Sequence, residues 1–369
     1  MVIGVPAEIK NGETRAALVP SGVRTLRESG HEVLVQAGAG EGSSITDDEY
    51  ARAGAILVEA ASDVWGQADI VVKVKEPQPS EVRYFRPTLT LFTYLHLAPL
   101  EQLTQQMLDS GLTAIAYEAV AEPDGRLPLL EPMSEVAGRL APQVGSQYLE
   151  RIYHGRGILL GGVPGVPPAE VVVVGGGIVG SNAARIALST GSKVTVIDKN
   201  LRRLRELDDR FQGRITTLAS NSTILSESLL RADLLIGAVL VPGASAPKVI
   251  TRAMIQGMKK GSVFVDVAID QGGCAETSRP TTHSEPVYEA AGVQHYCVPN
   301  IPALVPNTST YALTNSTLPY LLLLADHGVE EAVRRDASLQ AAVSTYRGSL
   351  TSQAVAQSQG RPWQPLPVH

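Results

Sequence analysis

The sequence predicts an α/β chain of two domains, each built on a parallel sheet, with the second domain inserted into the first. Three observations predict this. Short apolar runs alternate with helical patterns in both halves of the 369 residues, as crossover helices between parallel strands require. A run of valines enters a glycine-rich turn near the middle of the chain. The terminal stretch then returns to helices, which assigns it to the first domain. The length fits two domains of roughly 100–200 residues each.

In chain order, "VIGV", "EVLVQA", "IVVKVK", "LTLFTYL" and "TAIAY" read as strands, and "PSGVRTLRESG" and "PLEQLTQQMLDSG" as helices between them. The Pro-, Glu- and Gly-rich patch 118–132 breaks the rhythm and marks the first crossing between domains. "PMSEVAGRLAPQVGSQYLERIYHG" carries apolar residues at helical spacing and reads as a long connecting helix. "VVVV", "KVTVI", "TLAS", "ADLLIGAV", "SVFVDVA" and "VQHYCVP" supply the strands of the second domain. From about Tyr311 the chain reads as helices without new strands, and the last dozen residues read as loose. The expected domains are 1–129 with 307–369, and 130–306.

A net charge of −6 argues against a partner that selects basic surfaces, whether nucleic acid or an anionic membrane. "LTNSTLPYLLLLA" is shorter than the roughly 18 apolar residues of a membrane span, and it reads as a buried helix. Cys274 and Cys297 have neither CxxC nor metal-ligand spacing, so no disulfide framework and no metal site are expected, and a cytoplasmic location is. No basic and apolar leader opens the chain.

Val171 to Val174 lead directly into Gly175, Gly177 and Gly180. This is the GxGxxG turn of a Rossmann-type dinucleotide fold: the first glycine turns the chain, the second admits a pyrophosphate, and the third lets helix and strand pack closely. A helix starting near Ile178 points its N-terminus at the phosphates. Asp198 closes the next strand, 18 residues beyond Gly180, where a carboxylate bonds the ribose hydroxyls and repels a 2′-phosphate. The expected cofactor is therefore NAD, with Lys199, Arg202 and Arg203 near enough to weaken the discrimination.

The opening "PAEIKNGETRAALVP" resembles that of the alanine dehydrogenase family, which includes the nucleotide-binding part of proton-translocating transhydrogenase. "VVKVKEP", "LFTYLHLA", "PMSEVAGRL", "LLGGVPGV", "LIGAVLVPG", "VDVAIDQGGC" and "NSTLPY" extend the likeness over most of residues 1–325. The resemblance implies reversible oxidative deamination of L-alanine by NAD to pyruvate and ammonium, in a homohexamer. Arg15 and Lys75 match its carboxylate-binding positions, and their fork of donors and second cation suit that ligand. Lys73 and Lys75 also admit a plainer reading as residues of an edge strand.

His96 and Asp270 match the family's acid/base positions, each just past an apolar run, and an imidazole exchanges protons near neutral pH. Asp266, on the strand itself, reads as structural. Further cofactor contacts carried over are Ser134, Ile178, Val179, Arg203, Ser220, Val239, Leu240, Val267, Asp270, Arg279, Val298, Asn300 and Ile301. Ile301, Ala303 and Ala16 stand where the family usually has Met, Gly and Val. A soluble transhydrogenase subunit, a dehydrogenase of larger amino acids and a non-catalytic NAD sensor are the competing readings.

Overall fold

A computed structural model of the chain describes residues 1–239 and 246–367. They form two compact units, residues 1–133 with 303–369 and residues 134–302. The first unit opens with β1 (Val2–Val5), β2 (Glu32–Gln36), β3 (Ile56–Val58), β4 (Ile70–Val72), β5 (Thr90–Thr93) and β6 (Thr113–Ala116). The second carries β7 (Glu170–Val174), β8 (Lys193–Asp198), β9 (Thr216–Ala219), β10 (Leu234–Gly237), β11 (Val263–Asp266), β12 (Val287–Ala290) and β13 (Val293–Tyr296). The chain then rejoins the first unit with β14 (Val343–Tyr346) and β15 (Ser349–Leu350).

Both sheets wind in the same way. The first has the order β15-β14-β6-β5-β4-β1-β2-β3, the second β12-β13-β11-β10-β7-β8-β9. In each, the first strand of the unit lies centrally and the order reverses beside it, between β1 and β4 and between β7 and β10. Such switch points open a crevice at the carboxyl ends of parallel strands, where ligands bind. The central strands are apolar on both faces because helices cover both: Val171 to Val174 in β7 are at most 3% exposed. Trp65, Leu91, Met107 and Leu112 pack in the core of the first unit, and Val172, Leu235, Ile255 and Phe264 in that of the second.

The expectation of a strand-free C-terminal stretch is corrected. After a long helix, Pro306–Arg335, and a short one, Ala337–Ala342, β14 pairs antiparallel with β6 and folds back as β15. The turn residues Arg347 and Gly348 have φ of 48° and 80°, the two positive values that a tight two-residue hairpin demands. Strands of four and two residues carry too little alternation to be read against the helical pattern before them. A helix, Gln353–Gln359, precedes the tail, and within the last dozen residues Gln364 donates its backbone N–H to the Leu350 carbonyl.

One buried ion cluster fastens the switch point of the first sheet. Lys73, just past β4 and 0% exposed, lies 3.0 Å from Glu8 and 2.9 Å from Glu81. Glu8, just past β1, also accepts the backbone N–H groups of Val74 at 2.5 Å and Lys75 at 3.3 Å. Removing the cation strands two buried carboxylates, so Lys73→Ala is expected to lower stability by about 3–5 kcal/mol in urea denaturation.

Candidate active site

β1, β4, β5 and β6 are parallel neighbours, so the residues that follow them collect along one edge of the sheet. These are Glu8, Lys75, His96 and Glu118. Two residues apart, Lys73 and Lys75 would share a face of a regular strand, but the chain bends at Val74 and Lys75, and this separates the two side chains. Lys73 turns into the ion cluster, whereas the ammonium of Lys75 has no hydrogen-bond or ion-pair partner among the described residues. Burial, reinforced by the nearby positive charge of Arg15, pushes Lys75 down to about 8.

Arg15 is 2% exposed. Its Nε and Nη2 donate to the Glu13 carboxylate at 2.7 and 2.5 Å, and its Nη1 to the Met133 sulfur at 3.0 Å. The next residue is held too, since the Ala16 N–H donates to Thr310 Oγ1 at 3.0 Å. Glu13, two residues before Arg15, thus fixes one edge of the guanidinium in a bidentate pair.

His96 has a φ of 46°, a left-handed conformation uncommon for a residue with a side chain. Glu118 holds it there: one carboxylate oxygen accepts the His96 N–H at 2.6 Å and lies 3.8 Å from the ring Nδ1. The Tyr94 ring stacks on the imidazole at 5.7 Å, nearly parallel, and the Tyr94 hydroxyl donates to the Leu129 carbonyl. The imidazole is half exposed, so it is positioned without being enclosed.

In the second unit the glycine turn follows β7, and the helix Ile178–Ser189 begins directly after it. Gly175 has a φ of 102°, and a Cβ on Gly180 would lie 1.8 Å from the Gly175 carbonyl oxygen. Both positions therefore need glycine for the protein's own packing. Gly177 does not, since a Cβ there would meet nothing within 4 Å. That open space beside a helix N-terminus fits a dinucleotide pyrophosphate. Asp198 ends β8 and accepts the N–H groups of Gly176 at 2.6 Å and Asn200 at 2.8 Å. Arg203 donates its Nε to the Gly176 carbonyl at 2.6 Å.

Ser220 and Val267 directly follow β9 and β11, Val239 comes two residues after β10, and Val298, Asn300 and Ile301 come soon after β13. Parallel strands put all of these on the carboxyl edge with the glycine turn. Ser134 comes from a different element, the helix Glu131–Tyr148, which packs on the start of the helix Ile178–Ser189 at Gly138, where a Cβ would lie 2.3 Å from the Val179 carbonyl oxygen. Val298 and Ile301 are buried, at 2% and 3% exposure, whereas Ile178 is 36% exposed. Arg279 sits away from the turn, with its guanidinium 3.9 Å over the Tyr288 ring of edge strand β12. Leu240 lies outside the described residues.

Asp266 and Asp270 have different surroundings. Asp266 is fully buried and accepts from Ala268 N, Cys274 N and Ser278 Oγ at 3.1, 2.9 and 2.5 Å, and burial raises its pKa. Asp270 is exposed, on the short helical turn Val267–Gln271 that Asp266 caps. Cys274 and Cys297 are both buried free thiols. Sequence reasoning missed Glu8, Glu13, Tyr94 and Glu118. Glu118 could have been found, since it follows the "TAIAY" strand as His96 follows its own.

Comparison with known proteins bears on both units. The family model described as "Alanine dehydrogenase/PNT, N-terminal domain" matches residues 4–137, and that described as "Alanine dehydrogenase/PNT, C-terminal domain" matches residues 141–353. A protein of Halomonas elongata named alanine dehydrogenase is 56% identical over 98% of this chain and 97% of its own length. One of Mycobacterium tuberculosis with the same name is 55% identical over 98% of each. A solved structure titled L-alanine dehydrogenase matches with a TM-score of 0.95 and 50% identity, covering 98% of this chain and 99% of its own. A transhydrogenase from Sinorhizobium meliloti matches with a TM-score of 0.81 and 25% identity, over 96% and 100%.

The state of Lys75 has a consequence for stability. Its folded pKa of about 8 lies below the ordinary 10.5, so the folded protein binds this proton less well than the unfolded chain does. The resulting penalty is full below pH 8, shrinks as pH rises, and is gone above 10.5. Lys75→Met is therefore expected to melt at a higher temperature than the unaltered protein at pH 7, with the two melting temperatures converging as pH approaches 10.5.

Proposed function

The chain belongs to the alanine dehydrogenase/PNT family, and from that premise we propose that it catalyses the reversible, NAD-dependent oxidative deamination of L-alanine to pyruvate and ammonium. The observation that carries this reading is Lys75. Its ammonium, unpaired among the described residues, lies beside a buried arginine at the carboxyl edge of a parallel sheet. Such a cation calls for an anionic ligand, and the carboxylate common to alanine and pyruvate supplies one. A transhydrogenase subunit has no need of that carboxylate pocket.

Arg15 and Lys75 hold the substrate carboxylate in this reading. Because Glu13 already grips Arg15, the guanidinium is oriented before the substrate arrives and loses little rotamer freedom on binding. NAD, when bound, supplies the acceptor for the Cα hydride. Gly177 leaves room for its pyrophosphate, and Asp198 bonds its adenosine ribose. His96 takes a proton from the water that adds to the iminium carbon, while Glu118 and Tyr94 keep its ring in place. Asp270 serves as the second acid/base group and offsets the positive charge of the iminium.

Among the described residues no helix is long and apolar enough to cross a membrane. The working form is a cytoplasmic homohexamer. Self-association is supported by apolar side chains in the segment before β7: Ile152, Leu159, Val163 and Val166 are 51–75% exposed, and large exposed apolar surface marks interaction sites.

The test is loss of NADH absorbance with pyruvate and ammonium. Oxidation that requires ammonium and is faster with pyruvate than with glyoxylate or 2-oxobutyrate is expected. A folded protein that binds NADH without oxidising it would overturn the reading. His96→Ala and Asp270→Ala are expected to abolish turnover while leaving NADH affinity within about twofold, since removal of a group acting in proton transfer costs roughly 10²-fold or more. The value for Lys75 adds a pH dependence: the affinity of the NADH-bound enzyme for pyruvate, read by calorimetry, should fall as pH rises above about 8.

A further inference from the structure

The helix Leu201–Phe211 starts directly after Asp198, capped by the Asn200 side chain. Its first turn brings Arg202 and Arg203 to the end of β8, where a 2′-phosphate on the adenosine ribose would lie. Arg203 is anchored there by its Nε on the Gly176 carbonyl, and Gly176 in turn donates to Asp198. An arginine so placed normally accommodates a 2′-phosphate. One turn further along the helix, however, the two oxygens of Glu206 receive Arg203 Nη1 at 2.9 Å and Arg202 Nε at 3.3 Å.

We propose that Glu206 is a specificity-determining residue: by pairing with Arg202 and Arg203 it withholds both guanidinium groups from a 2′-phosphate and so helps restrict the site to a dinucleotide with a free 2′-hydroxyl. Asp198 rejects the phosphate by its own charge. Glu206 works by a second route, neutralising the cations that would otherwise offset that repulsion. Lys199 adds an exposed cation without a partner among the described residues, and against one lysine the single charge of Asp198 suffices. Once Glu206 is neutral, three cations face one carboxylate. This inference rests on the NAD reading above, and it assigns discrimination to a residue outside the glycine motif.

The experiment is calorimetric binding of two fragments, adenosine 5′-monophosphate and adenosine 2′,5′-bisphosphate, to the full chain and its Glu206→Gln variant at low salt. Glu206→Gln is expected to bind the bisphosphate about fivefold more tightly, the scale of one exposed ion pair, with 5′-monophosphate affinity changed less than twofold. The gain should shrink as salt screens the exposed charges. It should also disappear in Arg202→Gln/Arg203→Gln/Glu206→Gln, which removes the cations that Glu206 releases. NADPH turnover should rise in parallel with the bisphosphate affinity of Glu206→Gln.

Normal 5′-monophosphate binding with no gain for the bisphosphate in Glu206→Gln would overturn the role of Glu206 alone. A gain that persists after both arginines are replaced would overturn it as well. If the unaltered protein bound neither fragment, the dinucleotide reading would fall and this inference with it.

Discussion

The burial of one ammonium, that of Lys73, sets up much of the first unit. A lone charge at 0% exposure is untenable in an apolar interior, so Glu8 and Glu81 must accompany it. Glu8 then has a second task, because it also receives the N–H groups of Val74 and Lys75. A residue following β1 thereby holds the start of the segment following β4, across the one place in the sheet where winding reverses. Lys75 lies two residues beyond Lys73, turned away from the cluster that satisfies its neighbour. The protein keeps one lysine fully paired and leaves the other strained by burial, and the second arrangement is costly unless a ligand completes it.

The same logic of paired and unpaired charge recurs in the second unit. Asp266, closed in by backbone N–H groups and a serine hydroxyl, shapes the loop that presents Asp270. Two acids four residues apart on one continuous segment thus divide structure from exposure. At the ribose end, Asp198 accepts the Gly176 N–H and Arg203 donates to the Gly176 carbonyl, so the two successive peptide groups of this residue are both held. The glycine turn is therefore clamped from the neighbouring strand and helix as well as by its own backbone geometry.

Central strands were legible in the sequence and, β9 apart, edge strands were not. The apolar runs correctly located β1, β2, β4 to β8, β10, β11 and β13, because a strand covered on both faces has to be apolar throughout, and "TLAS" located the partly exposed β9. β3, β12, β14 and β15 lie toward the edges of their sheets. β3 and β12 are partly exposed, β15 has two residues, and β14, "VSTY", is buried but carries two polar residues between its ends, so none shows a clear apolar run. Around the candidate site, the resemblance pointed to Lys75 and His96, and both lie past the carboxyl ends of parallel strands. Position alone did not separate Lys73 from Lys75 by role, since that depends on where Glu8 and Glu81 fold in space. Glu13 was hidden for the opposite reason: a partner two residues from Arg15 looks like an ordinary loop acid.

The pairing of β14 with β6 has a consequence for how the protein is made. The edge of β6 stays open until residues 343–350 have been synthesised, so the first sheet begins with β1 and closes only with β14 and β15. Residues 134–302 form their own compact unit and emerge complete before that. At roughly 5–20 residues per second, about 230 residues separate β6 from β14, a delay of roughly 11–46 seconds. During that interval an unpaired strand edge is exposed to other nascent chains. Translation order thus makes the inserted unit the first that can close and the enclosing unit the last.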